Sequence, residues 1–66
     1  MKVLVNGDEQ TIDDSWTVAE LLRSLGLHDR RCATVLNGSI LRRPDRETTP
    51  LREGDSLDIV SMVGGG

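Results

Sequence analysis

The sequence predicts a small α+β domain, a mixed sheet of four to five strands packed on one helix. Three observations carry this. Alternating apolar segments open and close the chain, as strands do. One amphipathic stripe with helical spacing lies between them. Two Asn-Gly dipeptides, at 6–7 and 37–38, mark tight hairpin turns. The 66 residues leave room for a single domain. Trp16 is the only aromatic residue, so Val, Leu and Ile must build the core. So small a core leaves little room for a deep catalytic cavity.

Met1, Val3 and Val5 alternate with Lys2 and Leu4, giving a strand with the first set facing inward. Asn6-Gly7 suits the positive φ angles of a type I′ turn, and Glu9 to Ile12 return as the second strand. Asp13, Asp14 and Ser15 break the pattern. A helix follows over 17–26. Val18, Leu21, Leu22 and Leu25 form its apolar stripe, and Thr17 with Glu20 forms a capping box. Trp16 is placed to staple onto Leu21. Gly26 suits the left-handed position after the helix, with Leu27 reaching back towards Leu22.

Residues 33–36 read as the third strand, and Ile40-Leu41 continue beyond the second Asn-Gly turn. The polar stretch from Arg42 to Arg52, with Pro44 and Pro50, reads as a surface loop. Gly54-Asp55 turns the chain into the last strand. There Leu57, Ile59, Ser61 and Val63 alternate with Asp58, Val60 and Met62. The expected core is Val3, Val5, Leu21, Leu22, Leu25, Leu57 and Ile59. Strands before and after a single helix suit the β-grasp fold, with the first and last strands side by side in the middle. The expected division is a domain over 1–63 and a flexible tail over 64–66.

Charge and composition narrow the function. A formal charge of −3 and a pI near 4.9 argue against nucleic-acid binding, which needs a basic footprint. Arginines do gather at 30, 31, 42, 43, 46 and 52, which reads as a solvated face or a docking surface for an acidic partner. Cys32 stands alone, so there is no disulfide framework, and a cytoplasmic setting is expected. No stretch approaches the ~20 apolar residues of a bilayer span. His28 is the single histidine and reads as a loop residue. Cys32 reads as a core thiol. Asp13-Asp14 reads as turn polarity, too sparse for a metal site. Neither a metal nor an organic cofactor is expected on this chain, and an enzyme is not expected either.

The end of the chain is where chemistry is expected. Gly64, Gly65 and Gly66 form a thin tail with no Cβ to widen it. Three residues extend at most about 10 Å, enough to carry the Gly66 carboxylate into another protein's active site. Val60 and Met62 point away from the helix in the strand that feeds this tail, and are the expected partner-docking residues.

The chain resembles the ThiS family of sulfur carrier proteins over essentially its whole length. The matching features are Met1-Lys-Val-Leu-Val-Asn-Gly7, Thr17-Val-Ala-Glu-Leu-Leu22, Val35-Leu-Asn-Gly38, Leu51-Arg-Glu-Gly-Asp55 and Val63-Gly-Gly-Gly66. One segment departs: relatives often carry Val-Pro-Arg after the second turn, whereas this chain has Ile40-Leu41-Arg42-Arg43-Pro44. The resemblance implies that an adenylating, E1-like enzyme uses ATP to activate Gly66. Sulfur originating from a cysteine desulfurase persulfide then gives a Gly66 thiocarboxylate, which thiazole synthase consumes in thiamine biosynthesis. A carrier like the molybdopterin synthase small subunit has the same tail chemistry. A ubiquitin-like modifier would instead use that tail for isopeptide bonds.

Overall fold

The computed structural model describes residues 1–28 and 31–61. Its strands are β1 (Lys2–Val5), β2 (Asp8–Thr11), β3 (Cys32–Leu36), β4 (Ser39–Leu41) and β5 (Ser56–Ser61). The helix α1 spans Val18–Ser24, and a 3₁₀ turn spans Arg43–Asp45. The five strands form one mixed sheet in the order β2-β1-β5-β3-β4. β1 and β5 run parallel in its centre, and every other neighbouring pair is antiparallel. This is the β-grasp arrangement.

Both hairpins turn as their dipeptides require. Asn6 and Gly7 have φ of 51° and 86°, Asn37 and Gly38 of 51° and 85°. All four lie in the left-handed region that type I′ turns need. The helix is framed by its own side chains. Thr17 caps it reciprocally with Glu20. Beyond Ser24, Leu25 is the C-cap and Gly26 takes a φ of 73°. The Leu27 amide then donates to the Leu22 carbonyl at 2.8 Å, and Gly26 to Arg23 at 3.0 Å. That pair is the Schellman closure.

Val3, Val5, Ile12, Val18, Leu21, Leu22, Leu51 and Leu57 form the core between sheet and helix. Trp16, Leu27, Leu36, Leu41 and Ile59 pack around it. Two expectations need correction. Leu25 is 38% exposed, because the helix has ended and the Gly26 turn sends Leu27 inward instead. The 42–52 stretch is not a plain surface loop, because Leu51 belongs to the core and Arg46 is buried. Backbone explains why this stretch folds inward. The amides of Val18 and Ala19, orphaned in the first turn of α1, donate to the carbonyls of Thr49 and Arg46. The Leu51 amide donates to the Trp16 carbonyl at 2.9 Å. The segment thus completes the helix start that Thr17 only half satisfies.

Candidate functional site

The strand β5 is the element that leads to the C-terminal glycines, and it is held firmly. β1 flanks one side of its first half, and β3 flanks its other side from Leu57 to Ser61. The two turn asparagines fix it further. Asn37 accepts the Ser56 amide at 2.9 Å and donates to Asp55 at 3.0 Å, which sets where the strand begins. Asn6 accepts the Ile59 amide through its side-chain carbonyl at 2.7 Å. In the sequence both residues read only as turn formers. Their second role depends on which strand lies beside the turn, and no local pattern reports that.

On the outer face, away from α1, cross-strand register groups the side chains in rows. Val60 stands opposite Ala33, and Asp58 opposite Val35, which in turn faces Ile40. Val60 is 54% exposed and Ile40 79%. Arg42 follows Leu41 in extended conformation and is exposed, at the end of the sheet where β5 finishes. An apolar strip edged by a cation therefore borders the strand that feeds the tail. Val60 is placed as expected. Ile40 was missed as an outer-face residue, although the alternation of Ser39-Ile40-Leu41 carries the same signal. Met62, Gly64, Gly65 and Gly66, with the proposed boundary after residue 63, lie outside the described residues.

The remaining candidates do not converge. Cys32 is a buried thiol on the helix face, and its backbone carbonyl accepts from the Arg46 guanidinium at 2.7 Å. The arginines separate: Arg46 is buried, while Arg31, Arg42, Arg43 and Arg52 are exposed and Arg30 lies outside the described residues. His28 is exposed on the rim of a depression of about 100 Å³ lined also by Arg23, Arg43, Arg46 and Glu47, where Arg23 pairs with Glu47. Asp14 contacts the Met1 ammonium at 3.0 Å. Among the described residues no three of His, Cys, Asp and Glu are grouped to hold a metal ion. No helix there is long and apolar enough to cross a membrane.

The ThiS family model matches residues 3–66, a span that includes the glycine run. The chain belongs to the ThiS family. It is similar along its full length to the thiamine biosynthesis protein ThiS of Geobacter metallireducens, whose crystal structure has 33% identity and a TM-score of 0.85, with both chains fully covered. A solution structure of a thiamine biosynthesis protein from the same organism has 33% identity and a TM-score of 0.80, with 88% of that chain covered. Two curated relatives are thiazole synthases. All 66 residues of the chain match that of Paramagnetospirillum magneticum at 36% identity and that of Magnetococcus marinus at 29%. In each case the ThiS-like chain spans only 20% of the relative's length.

Proposed function

We propose that this chain is the sulfur carrier of thiamine biosynthesis, working through the carboxylate of Gly66. The family match running to Gly66 is the observation that carries this reading. The chain supplies recognition and reach, and partner enzymes supply catalysis. A carboxylate ionised at neutral pH is a poor electrophile and must be activated. In the activation, a carboxylate oxygen of Gly66 attacks the α-phosphate of ATP held by an adenylating enzyme, and pyrophosphate leaves. The terminal sulfur of a persulfide then attacks the acyl carbon and expels AMP. A thiol on the partner cleaves the resulting sulfur–sulfur bond, is oxidised to a disulfide and releases the Gly66 thiocarboxylate. The partner holds the ATP, and this chain carries its adenylyl group only as the Gly66 acyl-adenylate.

Thiazole synthase is the proposed recipient of the sulfur. Relatives bearing that name include a stretch like this chain within polypeptides about five times as long, which supports a working association between carrier and synthase. The exposed Val60, with Met62 two residues on, is the proposed docking point for the adenylating enzyme. A buried, unpaired Cys32 suits the reducing cytoplasm in which this chemistry would run.

Intact-mass analysis tests the reading, after incubation with ATP, the adenylating enzyme and a sulfide source. The expected result is the gain from replacing one oxygen by sulfur, mapped to Gly66. Deleting Gly66 retracts the carboxylate by about 3.3–3.6 Å. A misplacement of ~1 Å costs about a hundredfold in a positioned reaction, so the deletion should abolish the gain while the fold survives. Gly65→Val should fail as well, because a β-branched side chain widens and stiffens the tail. Gly64→Ala should be tolerated. A wild-type rate in the Gly66 deletion, or sulfur on Cys32, would overturn the assignment.

A further inference from the structure

β5 outruns its parallel neighbour. Leu4 and Val5 of β1 stand opposite Ser56 and Leu57, after which the chain turns back at Asn6-Gly7. β5 continues through Ile59, Val60 and Ser61. Its backbone groups alternate in direction. The Ser56 carbonyl accepts the Asn37 amide, so Ser56, Asp58 and Val60 direct their ladder groups towards β3. The carbonyls of Asp55 and Leu57 accept the amides of Leu4 and Asn6, so Leu57, Ile59 and Ser61 direct theirs towards β1. The Asn6 side chain catches the Ile59 amide. No residue of β1 stands opposite the Ile59 carbonyl or the Ser61 amide.

These two groups form a short open edge beside the Asn6-Gly7 turn, immediately before the proposed tail. The other edges of the sheet are guarded. Outermost β2 is wholly exposed, carries Asp8 and Glu9, and pairs Glu9 with Lys2. Outermost β4 has only three residues and runs into Pro44. Charges, short edges and proline are the usual means of stopping a strand from adding. The Ile59–Ser61 edge is short but carries neither charge nor proline, and half-exposed Val60 lies between its two open groups.

We propose that an extended segment of thiazole synthase adds as a strand at this edge, accepting the Ser61 amide and donating to the Ile59 carbonyl, with an apolar side chain set against Val60. Backbone recognition of this kind is how exposed sheet edges take up peptides. It would fix the direction in which the chain leaves β5 and so aim the tail. Only the choice of partner rests on the functional reading above.

Hydrogen exchange on the wild-type protein, with and without thiazole synthase, tests this. The Ser61 amide should exchange fast in the free carrier and slow markedly in the complex. The Val60 amide, already directed into the β3 ladder, should change little. Ser61→Pro removes the amide without removing a β3 bond, and should weaken binding about ten-fold, whereas Ser61→Ala should bind as wild type. An unprotected Ser61 amide in a saturated complex would overturn the proposal, as would wild-type affinity in a folded Ser61→Pro variant. A free carrier that elutes as a dimer with Ser61 already protected would also overturn it, by making the occupant a second copy. Loss of sulfur transfer to Gly66 in the mass assay is a separate outcome and would leave the exchange result standing.

Discussion

At two places a neighbouring strand stops short, and the ends are finished differently. β4 ends at Leu41, leaving the Cys32 carbonyl as the next group of the β3 ladder. Arg46 fills that gap, donating to the Cys32 carbonyl at 2.7 Å and to the Thr34 hydroxyl at 3.1 Å. Its guanidinium is buried there and the end is closed. β1 ends at Val5, and Asn6 fills only part of the gap, taking the Ile59 amide, with no partner for the Ile59 carbonyl or the Ser61 amide among the described residues. A long side chain with several donors seals a ladder end, while a short amide leaves room beyond it. The sealed end lies beneath the helix side of the sheet, and the open end lies where β5 leaves the domain. Stability and access are thus assigned to opposite flanks of the β3–β5 pair.

The comparison can be broken most severely from the core that supports both ends. Leu22 is 2% exposed and packs against the sheet. Leu22→Ala should cost about 2–5 kcal/mol, a large share of what so small a domain has. A chemical-denaturation midpoint shifted far below wild type is the expected result.

The closed end comes next. Arg46→Met keeps an unbranched side chain but removes the donors, leaving the Cys32 carbonyl unpaired in a buried site. The expected loss is about 1–3 kcal/mol. Denaturation curves should show a lower midpoint with an unchanged slope. Asn6→Gly, by contrast, preserves the left-handed backbone and removes one exposed hydrogen bond, for a loss of about 1 kcal/mol. The Ile59 amide should then exchange faster than in wild type. A larger loss at Asn6 than at Arg46 would invert the assignment of sealed and open ends.

Much of this architecture was legible from local signals. The capping box at Thr17 and Glu20, the Gly26 stop and the two Asn-Gly turns each act over a few residues, so each could be read without tertiary information. The 42–52 segment could not. Its arginines and prolines speak for solvent, yet Leu51 enters the core and Arg46 closes a ladder, because the start of α1 needs backbone acceptors that only a distant segment provides. Leu25 failed for a related reason. Helical spacing places it on the apolar stripe, but the stripe outlasts the helix. At the candidate site, the alternation in β5 gave the outward direction of Val60. The open edge at Ser61 depends on the register of a parallel partner about fifty residues away in sequence, which alternation does not encode.

The smallest effect on stability is expected at Val60, and it separates the outer face from the core most sharply. Val60 is 54% exposed and faces Ala33 across the β5–β3 pair, so little apolar area is buried there. Val60→Asp should cost less than about 1 kcal/mol, chiefly through lower strand preference. Its backbone still pairs with β3, so the open edge keeps its geometry. Binding is a different matter. An apolar contact at the centre of a partner interface would be replaced by a carboxylate that must be desolvated without a partner, close to the carboxylate of Asp58. Titration against the adenylating enzyme should therefore show a large loss of affinity in a protein whose denaturation curve is nearly that of wild type. Unchanged affinity would remove Val60 from that interface.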